Sequence, residues 1–146
     1  MKILALFSIL IISTFGSCKF GGNADDSNKQ KQMHDQKLEN FRTKNKPGKW
    51  KKEANSHVPQ VTVKKKEKNY EIHVIVPFIG TSTPVHYIET IILLNHHYKE
   101  LQKVTFNTGN STATTVFKIP RTYKSYLWVV AKCNLHDMWK KQVVLE

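Results

Sequence analysis

The chain has 146 residues, of which 40% are hydrophobic. This is enough for one modest core, and the length favours a single domain. Its 23 Lys and Arg outweigh 11 Asp and Glu, so the formal net charge is +12. Such a charge favours acidic partners, which include nucleic acid, anionic lipid headgroups and small anions. The charge alone does not distinguish between these partners.

The first residues have the pattern of an export signal. Met1 and Lys2 precede an apolar stretch over residues 3–14 that is too short to cross a bilayer as a helix. The sequence TFGSC then resembles a bacterial lipoprotein signal, in which the cysteine is lipidated, although Phe15 replaces the usual leucine. We predict a signal peptide over residues 1–17, lipidation at Cys18, and a lipid-anchored, extracytoplasmic protein of the bacterial cell envelope. An ordinary cleaved signal peptide is the alternative.

Residues 18–54 are predicted to form a disordered, lipid-anchored basic tether. The segment holds ten Lys or Arg and five Asp or Glu, a net charge of +5, and has few aliphatic side chains. It therefore cannot bury enough apolar surface to offset the entropy of ordering. It either lies along anionic headgroups beside the anchor or serves as a solvated spacer. Nucleic acid is not an expected partner, because the chain is exported and its basic residues are not interleaved with base-stacking aromatics.

Short runs with β-strand periodicity fill the rest of the chain. The seven predicted strands cover residues 58–63, 70–77, 86–94, 101–106, 114–120, 126–133 and 142–146. Turn-forming stretches such as GTSTP and NTGNS separate them. Seven short strands without a convincing helix predict an all-β, immunoglobulin-like seven-stranded β-sandwich over residues 55–146.

Four side chains with metal-binding chemistry stand at the ends of predicted strands. His57 opens the first predicted strand and His86 opens the third, Cys133 closes the sixth, and His136 follows in the next loop. Loops gather at the ends of a sandwich, so these residues can converge. A thiolate with imidazoles suits iron, zinc or copper. If Cys18 carries lipid, Cys133 has no partner for an internal disulfide and is buried, paired with another chain, or a metal ligand.

Three motifs, in order, resemble the superoxide reductase family, which comprises the iron domains of desulfoferrodoxin and neelaredoxin. HVPQV (57–61) is similar to the family's His-x-Pro segment, and HYIETIILL (86–94) is similar to its His-Tyr-Ile-Glu strand. CNLHDMW (133–139) is similar to its Cys-Asn-x-His-Gly-x-Trp segment. The resemblance covers residues 55–146 and implies an immunoglobulin-like sandwich, in agreement with the strand pattern.

The resemblance also implies a function. In that family a mononuclear non-haem iron, held by four equatorial histidines and an axial cysteine, reduces superoxide to hydrogen peroxide with electrons from an external donor. By position, Cys133 would be the axial ligand and the catalytic residue, and His57, His86 and His136 would be three of the equatorial ligands. Superoxide, an unidentified electron donor and the membrane are then the expected partners, and self-association into a homo-oligomer stays open.

The sequence departs from the family pattern at three places. Gly80 stands where the family has its fourth histidine, and Asn55 and Ser56 stand where it often has a Glu-Lys pair. Asp137 replaces a glycine. These departures leave two alternatives open. One is a zinc or copper site, since four ligands suit tetrahedral zinc and Met138 allows a His, Cys and Met copper site. The other is a lipoprotein with a vestigial site, which acts as an interaction module without reductase activity.

Overall fold

A computed structural model describes residues 41–83, 85–107 and 112–146. The predicted signal peptide, the lipidation site at Cys18 and residues 18–40 lie outside these ranges. In the described part, no helix is long and apolar enough to cross a membrane. In chain order the elements are β1 (Phe41–Arg42), a 3-10 turn (Gly48–Trp50), α1 (Ala54–His57), β2 (Gln60–Lys65), β3 (Asn69–Ile79), β4 (Thr81–Ser82), β5 (Val85–His86), β6 (Ile88–Asn95), β7 (Glu100–Thr105), β8 (Thr112–Pro120), β9 (Leu127–Cys133) and β10 (Met138–Val143).

The strands form two main sheets and one small hairpin. The larger sheet has the order β1-β10-β9-β6-β7, the smaller has the order β2-β3-β8, and β4 pairs with β5. All pairings are antiparallel except that of β1 with β10. The seven longer strands correspond to the seven predicted ones, and the predicted all-β sandwich is confirmed.

The last strand differs from its prediction. It spans Met138–Val143 rather than 142–146. The sequence MWKKQV looks too polar for a strand, but Trp139 and Val143 lie on the same face and are both buried. They pair in register with Ala131 and Leu127 of β9. Burial of these two side chains is therefore enough to hold the polar segment as a strand beside β9.

The main core lies between the two sheets. Alternate residues of β3 point inward, and Ile72, Val74 and Val76 are at most 1% exposed. They meet Phe117 of β8 and Val129 of β9 in one cluster. Because this core ties β3 and β8 to β6 and β9, the strand ends that carry the candidate ligands are held in fixed positions.

A smaller apolar cluster covers the outer face of the larger sheet. Phe41, Leu94 and Val130 are its buried members, and Tyr98 and Trp128 pack against them. Residues 41–54 precede the predicted domain boundary at residue 55, yet they contribute Phe41, β1 and the 3-10 turn to the described fold. A polar segment can pack in this way because a few apolar side chains dock onto a surface that the sandwich already provides.

Candidate metal centre

The four predicted ligand residues lie together at one end of the sandwich. Their ligand atoms are all within 4.8 Å of one another. His57 ends α1 rather than opening a strand, because Pro59 follows and forces Val58 to be extended, with φ −69° and ψ 125°. His86 ends the short strand β5 instead of opening a strand, since β6 begins at Ile88, and Cys133 closes β9 as predicted. His136 lies in the loop before β10.

The spacing of the ligand atoms suits a single metal ion. His57 Nε2 lies 3.3 Å from His86 Nε2 and 3.1 Å from His136 Nδ1. Cys133 Sγ lies 3.0 Å from His86 Nε2 and 3.8 Å from His136 Nδ1. Metal–nitrogen and metal–sulfur bonds of about 2.0–2.3 Å place neighbouring ligand atoms about 3–4 Å apart. The three imidazoles and one thiol therefore fit a metal of the iron, zinc or copper class.

The short helix α1 orients the His57 imidazole. His57 Nδ1 lies 3.1 Å from the Glu53 carbonyl oxygen and 2.9 Å from Ser56 Oγ. A carbonyl oxygen only accepts, so Nδ1 carries the hydrogen and Nε2 presents its lone pair to the other three ligands. The Ser56 hydroxyl donates to the same carbonyl at 3.0 Å, so its oxygen can also accept from Nδ1.

Burial shifts the pKa values of His57, His86 and Cys133. Desolvation is the main reason that the pKa of His57 falls to about 4, and the nearby His136 and His86 lower it further. Desolvation, followed by the effect of His136, also lowers the pKa of His86. Burial raises the pKa of the Cys133 thiol. At neutral pH the first two imidazoles are therefore neutral and can donate to a metal, while binding of a cation must displace the thiol proton.

The metal-free protein is expected to lose stability in acid. The folded-state pKa of His57 is about 4 against an ordinary value of 6.5, so the unfolded chain binds more protons between these values. The free energy of unfolding is therefore highest above pH 6.5 and falls by roughly 3 kcal/mol as the pH drops towards 4.

Urea unfolding at several pH values measures this free energy. His57→Phe should flatten this dependence, whereas His97→Gln, in the β6–β7 turn, should not; equal slopes in all three proteins would contradict the expectation.

Asn134 connects the Cys133 loop to the His86 strand. Its side-chain amide donates to the Val85 carbonyl at 2.8 Å, and its Oδ1 accepts from the Tyr87 backbone N–H at 2.9 Å. Its own backbone N–H donates to the Tyr87 carbonyl at 3.2 Å. These three bonds bracket His86 from both sides. Asn134 thereby fixes the distance between two candidate ligands that are 47 residues apart in the sequence.

Three aromatic rings surround the candidate ligands. The Phe78 ring centroid lies 4.6 Å from that of His57 and 4.1 Å from that of His86. Trp50 lies 4.4 Å from His136, and Trp139 lies 6.0 Å from His57. In the described ranges, no fifth His, Cys, Asp or Glu joins the four ligands. Gly80, two residues after Phe78, is buried and has no side chain that could bind a metal.

Other residues with metal-binding chemistry lie elsewhere. His73 is in mid-strand near Glu71, and His96 contacts His97 in a turn, with the ring centroids 3.8 Å apart. Met138 packs into the smaller apolar cluster on the outer face, opposite to its neighbour Trp139. The sequence suggested that Met138 could complete a copper site. On the outer face, its sulfur is not placed to act as a ligand together with the other four residues. A cleft of about 830 Å³ between β10 and the start of β2 includes none of the four ligand residues.

Glu53 belongs to the surroundings of the centre, although the sequence did not single it out. Its negative charge acts on both His57 and His86 and opposes the lowering of their pKa values. A carboxylate placed there also favours a bound cation. Directly before His57, at the positions of the family's Glu-Lys pair, the sequence has Asn55 and Ser56 instead. Glu53, four residues before His57, instead lies one helical turn away, and its charge acts on both imidazoles.

Comparison with known proteins agrees with the fold. The family model for desulfoferrodoxin matches residues 47–142. No curated protein matches. A superoxide reductase (neelaredoxin) from Ignicoccus hospitalis is 22% identical, with a TM-score of 0.58 over 74% of this chain and 97% of that chain. The reduced form of a superoxide reductase (neelaredoxin) from Archaeoglobus fulgidus is 22% identical, with a TM-score of 0.52 over 72% of this chain and 98% of that chain.

A third similar structure is a hypothetical protein from Pyrococcus horikoshii OT3. It is 24% identical, with a TM-score of 0.57 over 75% of this chain and 98% of that chain. At these identities the structural likenesses show a shared fold. The family match spans well over half of the chain and includes all four candidate ligands. The chain therefore belongs to the desulfoferrodoxin family.

Proposed function

We propose that this chain is a superoxide reductase-like protein in which His57, His86, Cys133 and His136 hold one mononuclear non-haem iron. The observation that carries the proposal is the convergence of these four ligand atoms within 4.8 Å on a desulfoferrodoxin-family fold. Superoxide is the proposed substrate, and hydrogen peroxide is the product. Zinc is the second candidate metal, because the described residues supply four donors and no fifth.

The reaction is a one-electron reduction. When bound, the iron supplies one electron to superoxide, which also takes up two protons and leaves as hydrogen peroxide; an external reductant returns the electron. The chain's own residues prepare this step. Cys133, only 2% exposed, would bind the iron as a thiolate once its proton is displaced, at a position where water does not solvate the sulfur. The net charge of +12 favours the approach of an anionic substrate.

The protein is proposed to be anchored in the cell envelope. Cys18 is proposed to carry lipid, so that the basic tether connects the sandwich to the membrane and the reaction takes place outside the cytoplasm. Superoxide crosses membranes poorly because it is charged, so a reductase in the envelope would act on superoxide formed there. The electron donor is proposed to be a component of the same compartment. Loss of the [³H]palmitate label from the Cys18→Ala protein would support the anchor.

The deciding experiment is elemental analysis of the chain from Lys19 onward, purified without oxygen and without chelators. One iron per chain, together with superoxide consumption that forms peroxide without releasing oxygen, would support the proposal. His57→Ala should lose the iron, whereas His97→Gln should keep it and controls for adventitious binding. Stoichiometric zinc would instead support the second candidate. No metal after anaerobic reconstitution would contradict both and favour the interaction module.

A further inference from the structure

We propose that Arg42 is a positioning residue of the metal centre, which fixes the loop carrying His136 through its ion pair with Asp137. That His136 binds a metal rests on the proposed function, whereas the ion pair and its place in the fold are features of the structure. Arg42 and Asp137 would touch neither the metal nor its substrate. They would act through the backbone of the ligand loop, residues 134–137, which joins β9 to β10.

His136 is the candidate ligand whose donor atom depends most directly on the backbone. Its Nδ1 lies 3.1 Å from His57 Nε2 and 3.8 Å from Cys133 Sγ, so this nitrogen faces the other ligands. His57 and His86 present the distal Nε2 instead. Because Nδ1 is bonded to the ring carbon nearest the backbone, side-chain rotation corrects less of a backbone shift. Binding groups must be held to within about 0.5 Å, so the ligand loop needs fixed ends.

The end of the ligand loop before His136 is held by bonds of its own. The Leu135 backbone N–H donates to Cys133 Sγ at 3.5 Å, and Asn134 is bonded to the β5–β6 segment. The His136 ring, in contrast to that of His57, has no hydrogen-bond partner outside the ligand group in the described ranges. Its orientation therefore depends on packing and on how the backbone is held after it.

Asp137 holds the other end of the ligand loop. Arg42 Nε donates to its Oδ2 at 2.6 Å, and the two side chains are only 30% and 34% exposed. Arg42 is itself fixed, because β1 pairs with the first two residues of β10. Gly48, at φ +59°, leaves room for the guanidinium, since a Cβ there would lie only 3.2 Å from Arg42 Nη1. This short charge-assisted bond therefore sets the position of the residue next to His136.

The setting of this ion pair differs from that of an ordinary surface pair. Glu89 and Lys132, for example, join β6 to β9, which a hydrogen-bonded ladder already holds together. Exposed pairs of that kind usually contribute little. Arg42 and Asp137 instead join a strand to a loop that no described strand pairs with. Glycine stands at the position of Asp137 in the family pattern, so the pair is not part of that pattern.

The first arm of the test is a Co²⁺ titration of the full chain, followed by visible absorption. Arg42→Gln removes a positive charge, so electrostatics alone would tighten the binding of a cation. Positioning predicts the opposite: the Co²⁺ Kd should rise about tenfold, the lower end of the loss for groups that orient metal ligands. Arg121→Gln, which removes a guanidinium beyond the opposite end of β3 from Phe78, is the matched control and should leave the Kd unchanged. A Kd that falls or stays unchanged in Arg42→Gln would overturn the proposal.

A double-mutant cycle with Asp137→Ala tests whether Arg42 acts through the ion pair. If it does, adding Arg42→Gln to Asp137→Ala should change the Co²⁺ Kd by less than about twofold, because the bond is already lost. Additive effects of the two substitutions would show that Arg42 acts on the centre by another route and would overturn the proposed role.

The second arm needs no metal and measures the mobility of the ligand loop in the metal-free full chain. Backbone ¹⁵N relaxation should give order parameters of about 0.85 for Leu135 and His136, as in a rigid backbone, and values below about 0.6 in Arg42→Gln. Arg121→Gln should leave them unchanged. Equal values in the wild type and Arg42→Gln would overturn the proposal. Failure of the wild type to bind Co²⁺ would count against the proposed function, and this arm would then decide whether Arg42 fixes the loop.

Discussion

Cys133→Ser is expected to abolish the thiolate-to-metal absorption band and to weaken metal binding by at least about a hundredfold. Removing a group that merely supports a ligand costs about 10–100-fold in affinity, so removing a ligand should cost no less. Cys133 Sγ lies 3.0 Å from His86 Nε2, and no other sulfur belongs to the four-ligand group. Serine has nearly the same size but does not ionise near neutral pH. Anaerobic Co²⁺ titration, followed by absorption, measures both effects.

The control for Cys133→Ser must separate chemistry from folding. Because Cys133 is 2% exposed, a hydroxyl at this position adds a buried polar group, at a cost of about 1–3 kcal/mol. Circular dichroism and thermal unfolding of the metal-free variant should therefore show a folded but somewhat less stable protein. If the folded variant kept the band after metal loading, the assignment of Cys133 as a ligand would be wrong.

The fold and the four candidate ligands were accessible from the sequence for a physical reason. Alternation of apolar residues identifies strands such as β3, and strand ends in a sandwich gather at two edges. Because His57, His86 and Cys133 stand at predicted strand ends, the sequence already limited them to the two ends of the sandwich. The sequence also placed Cys133 correctly at the end of β9. It missed the short helix at His57, since four residues are too few to show a helical period.

Residues 41–54 were not predictable in the same way. Composition places this polar, basic segment in a tether, and its attachment depends on contacts with distant residues. The Arg42–Asp137 pair spans 95 residues, and β1 pairs with β10 over only two positions. Neither leaves a local pattern in the sequence. The same holds for Glu53 and Trp50, whose closeness to the centre depends on how α1 and the 3-10 turn dock.

Trp139→Ala is expected to destabilise the metal-free protein by about 3–5 kcal/mol, the usual cost of truncating a large buried aromatic side chain. Trp139 is 0% exposed and pairs with Ala131 in the larger sheet. Since domains of this size are stable by about 5–15 kcal/mol, the variant should be close to the limit of folding. Guanidinium unfolding at fixed pH measures the change. Trp128→Ala, a partly exposed indole on the outer face, is the control and should cost less.

The Trp139 indole also links the core to the centre, and a second variant separates the two contributions. Its ring lies 6.0 Å from that of His57, so its removal should leave that imidazole less firmly held and weaken Co²⁺ binding. Its Nε1 has no acceptor among the described residues, which offsets part of the stabilisation from burial. Trp139→Phe fills most of the space and removes that donor, so it should cost only about 1–2 kcal/mol and keep the metal. If Trp139→Phe were as unstable as Trp139→Ala, an unseen hydrogen bond from the indole, rather than its volume, would hold this end of the sandwich.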